Sequence, residues 1–160
     1  LHNFKLMKKL LFIILFITLS ACGFKVINLS ELENYNIVEI SSTGESKINY
    51  IIKNHLLRAS KRDNVNELSI DITTKKNKII KEKNIKNEIT KYEIIITANI
   101  NIKKIKGNED FNFSVVKKGS YDVAKQNSLT RNNEKQLIVL LSNEMADEIL
   151  NETNFKLNDS

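Results

Sequence analysis

The chain has 160 residues, a single cysteine, two histidines, no proline or tryptophan and only four glycines. Those counts exclude an internal disulfide framework, a Pro-rich linker and a Gly-rich phosphate loop. Lys and Arg number 25 against 19 acids, too mild an excess for a nucleic-acid binder, which needs a dense basic face.

The first element is Met7 to Cys22, MKKLLFIILFITLSAC. Lys8 and Lys9 form a positive start, Leu10 to Leu19 an uncharged apolar run, and small residues follow before the cysteine. That order is the pattern of an export signal. Ten helical residues span roughly 15 Å, about half of the hydrocarbon core, so the run is too short for a comfortable permanent span. Residues 1–21 are therefore expected to be a signal peptide, with Leu1 to Leu6 upstream of a start at Met7. Its removal leaves 139 of the 160 residues, enough for one domain burying roughly two-thirds of its unfolded surface. Lys5, Lys8 and Lys9 leave with it and no acid does, so the balance becomes 22 against 19.

Residues 22–34 have little periodicity and read as a tether. Tyr35 to Ile40 reads as a short strand with Tyr35 and Ile37 on one side and Val38 and Ile40 on the other. A turn is expected at Ser41 to Gly44. Ser42 and Glu45 have the spacing of a capping box, which predicts a helix starting there. Ile48, Ile51, Ile52, Leu56 and Ala59 give that helix one apolar stripe.

From Glu67 the period changes to two: Leu68, Ile70 and Ile72 alternate with Ser69, Asp71 and Thr73. A second alternating strand is clearest over Tyr92 to Ile102. Between the two lies a lysine-rich stretch, Lys75, Lys76, Lys78, Lys81, Lys83 and Lys86, interrupted by Ile79, Ile80, Ile85 and Ile89. Both strands are expected to extend into it as a long hairpin. Asp110 to Lys117 is a third strand, preceded by a turn at Gly107-Asn108. After Gly119-Ser120-Tyr121 the helical period returns, with Thr130 as candidate N-cap and a stripe of Leu137, Ile138, Leu141, Met145, Ile149 and Leu150. The domain is expected over 35–153, with 154–160 as a loose tail. This order predicts an α+β two-layer sandwich, β-α-β-β-β-α, with two helices packed on one face of a four-stranded mixed sheet. A helix between the first two strands implies at least one parallel pairing.

Two resemblances add to this reading. Leu19-Ser20-Ala21-Cys22 resembles the lipobox of bacterial lipoproteins, which implies lipid attachment at Cys22 and cleavage before it. Gly23 stands where an aspartate would favour inner-membrane retention, which suggests the outer membrane. The mature chain as a whole resembles the LptE family of lipopolysaccharide-assembly lipoproteins. The residues that carry the likeness are Cys22-Gly23-Phe24, the first helix with Leu57 and Arg58, the strand at Tyr92-Glu93-Ile94, and Ser120-Tyr121 before a final helix containing Met145-Ala146-Asp147-Glu148-Ile149-Leu150. The family usually keeps a proline soon after the cysteine, whereas Lys25-Val26 stands here.

The resemblance implies a non-enzymatic role. The family's protein plugs the outer-membrane β-barrel LptD from the periplasmic side, assists its assembly and contacts lipopolysaccharide. A cluster of lysines would then meet phosphorylated lipid: Lys75, Lys76 and Lys78 on the hairpin, Lys103, Lys104 and Lys106 before the next turn, and Lys117 and Lys118 on the last strand. The competing reading is that such lysines keep strand edges soluble. An auxiliary lipoprotein of an ABC-type envelope lipid transporter is the alternative function; a lipid-tethered periplasmic hydrolase is a third.

The residues themselves argue for no catalysis and no cofactor beyond the covalent lipid on Cys22. His55 is the only histidine after Cys22 and lacks a second His or Cys partner, so it is a poor metal site. No serine or threonine combines with a histidine and an acid at a recognisable spacing. Asp71 and Glu93 fall on adjacent predicted strands and are expected to lie near one another.

Overall fold

The computed structural model describes residue 32 and residues 35–62, 64–107 and 109–158. The signal segment, Cys22, Gly23 and most of the tether lie outside the described residues, as does Asn108 of the expected turn. Strand β1 (Asn36–Gly44) leads through helix α1 (Ser46–Ala59) to the long strands β2 (Glu67–Lys83) and β3 (Ile89–Lys104), then β4 (Asp110–Asp122) and helix α2 (Asn127–Asn158). The sheet order is β1-β2-β3-β4. The first pair is parallel and the other two antiparallel. That is the expected mixed sheet, the parallel pair being the one joined by a helix.

Alternation places one set of side chains under the helices. Leu68, Ile70 and Ile72 of β2 and Ile94, Ile96, Ala98, Ile100 and Ile102 of β3 are buried there. They meet Ile48, Ile52 and Leu56 of α1 and Met145, Ala146 and Ile149 of α2. Each such isoleucine contributes about 1.5–3 kcal/mol when fully buried. Inside α2, Ser142 and Thr153 are buried but satisfied, donating 2.6 Å hydrogen bonds to the carbonyls of Ile138 and Ile149 one turn back.

The long hairpin is present and its tip is built by asparagines. Asn84 Oδ1 accepts the backbone N–H groups of Lys86 and Glu88, and Asn87 adopts φ 64°. Asparagine is one of the few residues that tolerates that region. β1 ends opposite Thr74, so the last nine residues of β2 pair with β3 alone.

Several local expectations need correction. The register shifts between Ile37 and Glu39, so Ile37 and Ile40 both face the core while Val38 is exposed; a bulge adds one residue and resets the alternation. Ser42 is part of β1, not a cap, and no side-chain cap bonds the start of α1. Instead, the Glu45 N–H donates to Thr74 Oγ1 at 3.0 Å. β4 runs five residues beyond Lys117, where the strand was expected to end, and passes through Gly119. Gly119 is a packing notch: a Cβ there would lie 2.8 Å from Leu137 Cδ1 of α2. Thr130 sits inside the first turn of α2, and its hydroxyl bridges the N–H and carbonyl of Ala124. The helix also continues to Asn158, where a loose tail was expected, because Thr153 and Leu157 extend its buried stripe.

Candidate functional site

The sheet has a second face that no helix covers among the described residues, and the register fixes what it carries. From one end, successive rows across β2, β3 and β4 are Ser69–Lys103–Asp110, Asp71–Asn101–Asn112, Thr73–Asn99–Ser114, Lys75–Thr97–Val116 and Asn77–Ile95–Lys118. The centre of this open face is a shallow depression of about 350 Å³ lined by Asp71, Thr73, Asn99, Asn101, Asn112 and Ser114. Charged side chains stand mainly at its two ends.

The same alternation sorts the eight lysines singled out from the sequence. Lys76, Lys78, Lys104 and Lys117 lie on the helix side, and each is engaged by a carboxylate. Lys76 is 3.4 Å from Glu45 and Lys78 is 2.6 Å from Glu134. Lys104 pairs with Glu109 and Lys117 with Glu148 of α2. Lys75, Lys103 and Lys118 lie on the open face; Asp110 stands opposite Lys103, and none of the three forms an ion pair with a carboxylate among the described residues. Lys106, in the turn after β3, donates to the Val65 carbonyl at 3.4 Å. The eight lysines are therefore not one patch. Further along the hairpin, Lys81 pairs with Glu93 at 3.1 Å and Lys91 with Glu82 at 3.0 Å.

Lys78 occupies a more elaborate setting than its neighbours. Its ammonium lies 4.2 Å from the Tyr92 ring centroid and 5.4 Å from that of Tyr121, two rings stacked 5.8 Å apart. The Tyr121 hydroxyl donates to the same Glu134 oxygen at 2.7 Å. For Lys78, partial burial disfavours the charge, but the bonds to Glu134 and Tyr121 outweigh it and its pKa rises. Burial would raise Glu134; hydrogen bonds from Lys78 and Tyr121 overcome that and hold its carboxyl below the ordinary value. Tyr121 is pushed up, by burial first. This cluster clasps the hairpin to the start of α2. The sequence reading missed it, because Glu134 is 56 residues from Lys78.

One further expectation is corrected, and His55 is located. Asp71 and Glu93 are not neighbours: Asp71 is opposite Asn101 and bonded by the Ser41 hydroxyl, whereas Glu93 is opposite Ile79. Four rows separate them, roughly 27 Å along the strands. His55 is half-buried between the helices, its Nε2 3.0 Å from Asp147 Oδ1 without hydrogen-bond alignment. Among the described residues, no group of three or more His, Cys, Asp or Glu could hold a metal ion, and no helix is long and apolar enough to cross a membrane.

The sequence matches no protein-family model and no curated protein. Solved structures do share its architecture. The rare lipoprotein B of Shewanella oneidensis superposes with a TM-score of 0.62 at 16% identity, covering 78% of this chain and 98% of that one. The lipoprotein B of Nitrosomonas europaea gives 0.55 at 12% identity, over 85% and 93% of the two chains. The chain therefore has the fold of the lipoprotein B structures.

Proposed function

We propose that the protein is an outer-membrane lipoprotein of the LptE type, anchored through a lipid on Cys22 and facing the periplasm. In this reading it is a non-catalytic plug and assembly partner for an LptD-type β-barrel and takes part in lipopolysaccharide transport. The observation that carries the proposal is the likeness of fold to rare lipoprotein B across 98% of that chain. Leu19-Ser20-Ala21-Cys22 after an apolar run supports it independently. Two or three acyl chains on the cysteine suffice for stable anchoring.

The physical build suits a plug. Barrel lumens of this kind are polar, and the open face offers amides, hydroxyls and lysines in place of a second apolar layer. Phosphorylated lipid would be met by the cations without an ion pair in the fold, Lys75, Lys103 and Lys118, and by Lys106 in the turn after β3. Each contributes about 1 kcal/mol near an anionic lipid surface. Lys76, Lys78, Lys104 and Lys117 serve the fold first.

Affinity purification from membranes in mild detergent tests the reading. Recovery of a large β-barrel protein is expected; recovery of only a transporter ATPase and permease would sink it and favour the auxiliary-lipoprotein alternative. Cys22→Ser is expected to abolish incorporation of labelled palmitate, and continued labelling would refute the anchor.

A further inference from the structure

We infer that two copies of the protein join edge to edge through β4, antiparallel and centred on Ser114, into one continuous sheet. The inference concerns the protein before it meets a barrel, and it stands or falls separately from the proposed function.

The sheet has two outer edges, and the chain treats them differently. An edge strand presents unpaired backbone donors and acceptors that another strand can use, and proteins usually guard it. At β1 the guards come from α1 and the residue after it. The Ile37 N–H donates to Ser60 Oγ at 2.8 Å, and Lys53 Nζ donates to the Ile40 carbonyl at 3.3 Å. The part of β2 that runs beyond β1 carries lysines, among them Lys75, Lys76 and Lys78. β4 has no such protection over Phe111 to Val116, a run without charge, proline or bulge. Its one side-chain guard among the described residues is Asn133, which bonds the Asp122 carbonyl at the very end of the strand.

The path of α2 leaves room for a second strand. The helix starts above the end of β4, where Glu134 bonds Tyr121 and Leu137 lies against Gly119. It meets Lys117 through Glu148 and finishes beside Tyr35, just before β1, whose hydroxyl donates to the Leu157 carbonyl at 3.4 Å. α2 therefore crosses the sheet diagonally and departs from the first half of β4. Phe111 and Phe113 on that half are only partly buried. In an antiparallel pair, the covered half of one β4 lies against the uncovered half of the other. Each α2 then sits beside the part of the second copy that has no helix above it.

Charge selects both the occupant and the register. Asp110 stands four residues before Ser114 and Lys118 four after it. Both lie on the open face, where Asp110 has Lys103 opposite it on β3 without an ion pair. With the two Ser114 residues opposite each other, Asp110 of each copy faces Lys118 of the other, and Phe113 faces Val115 on the helix side. Cross-strand pairs of opposite charge stabilise a sheet and like pairs destabilise it. Moving the centre one residue either way sets Asp110 opposite Val116 or Ser120 and removes both attractive pairs. A centre at Val116 opposes Asp110 and Asp122, and a centre at Lys117 or Lys118 opposes two lysines. Registers with the helices on opposite faces would set the buried Val115 against open-face residues. A charge order that mirrors itself about one residue fits a second copy of the same strand, related by a two-fold axis.

The test uses the purified lipidated protein in density-matched detergent, analysed by sedimentation equilibrium. The parent is expected to be a dimer. Asp110→Lys opposes lysines at both ends and Lys118→Asp opposes aspartates, so each should raise the dimer dissociation constant at least about tenfold. An equimolar mixture of the two variants restores both attractive pairs and is expected to dimerise as the parent does. Circular dichroism of each variant should match the parent, since both side chains are exposed. In a second measurement, Ser114→Cys is expected to form a disulfide between copies under mild oxidation. Asn112→Cys is not, because that residue and its counterpart would lie roughly 13 Å apart along the strands, beyond disulfide reach. A parent that remains monomeric would overturn the inference. So would a mixture no more dimeric than either variant alone, or Asn112→Cys cross-linking as readily as Ser114→Cys.

Discussion

Gly44→Ala is the sharpest test of how the two halves of the sheet meet. Gly44 closes β1 at φ +96°, and a Cβ built on it would lie 1.9 Å from the Thr74 carbonyl oxygen. That oxygen is backbone in a paired strand and cannot swing aside. Positive φ alone costs an L-residue about 1–2 kcal/mol. Relieving the overlap requires the end of β1 to lift from β2, which strains the 3.1 Å contact of the Thr43 and Thr73 hydroxyls and the Glu45 N–H bond to Thr74. It also loosens Asn49, which is buried and holds the Thr43 carbonyl at 3.0 Å and the Thr74 hydroxyl at 2.7 Å. Two such bonds at about 1 kcal/mol each bring the total to about 3–4 kcal/mol. That is a large share of the roughly 5–15 kcal/mol stability of a typical domain. Urea denaturation followed by far-UV circular dichroism should show a lower midpoint at unchanged slope. Gly107→Ala is the control, since its Cβ would meet nothing nearer than 3.6 Å, and a surface change of that kind stays within about 0.5 kcal/mol. A loss below about 1 kcal/mol for Gly44→Ala, or an equal loss for the control, would refute the close-approach argument.

Three further outcomes follow from particular contacts. Gly119→Ala should cost only about 1 kcal/mol in the same assay, because the atom it meets is the free end of Leu137, whereas Gly119→Leu should cost about 3 kcal/mol or more by pushing α2 off β4. Glu134 has its carboxyl pKa lowered by folding, so its contribution is present above the ordinary value of 4.5 and lost as pH falls through the lowered one. Glu134→Gln should therefore destabilise near neutral pH, by no more than about 1 kcal/mol because Lys78 is exposed, and the gap to the parent should close in strong acid. Finally, Lys75→Glu with Lys118→Glu should weaken lipopolysaccharide binding at least about tenfold without a stability loss, whereas Lys117→Glu should lower stability through repulsion from Glu148. Equal effects on binding from all three positions would show that the lysines act as one diffuse field.

The elements were legible where one periodicity held over many residues. Tyr92 to Ile102 alternates without a break and is a strand throughout; the stripe of Ile48, Ile52 and Leu56 is a buried helix face. Errors fell at single residues whose role depends on a distant partner. Ser42 has a capping spacing, yet a ladder with β2 holds it extended. Gly119 lies past the strand's expected end, yet β4 runs through it and α2 uses its missing side chain as a seat. Thr130 reads as a cap, yet its hydroxyl serves Ala124. For Ser42 and Gly119 a non-local contact outweighed a local propensity worth no more than about 1 kcal/mol, whereas for Thr130 a contact six residues back did so.

The lysines show the same division. Parity along β2, β3 and β4 already separates Lys75, Lys103 and Lys118 from Lys76, Lys78, Lys104 and Lys117, because successive side chains alternate faces. What no parity argument supplies is the identity of the facing carboxylates. Glu134 and Glu148 reach the sheet only because α2 lies across it, and that placement makes Lys78 and Lys117 structural. By itself, the amino-acid order determined the α+β class, the helix and strand periods and the lysine-rich hairpin, since these are set by local spacing and burial preference. Strand order, the Lys78–Glu134–Tyr121 clasp and the amide-lined open face were decided only in three dimensions, where residues tens of positions apart compete for the same neighbours.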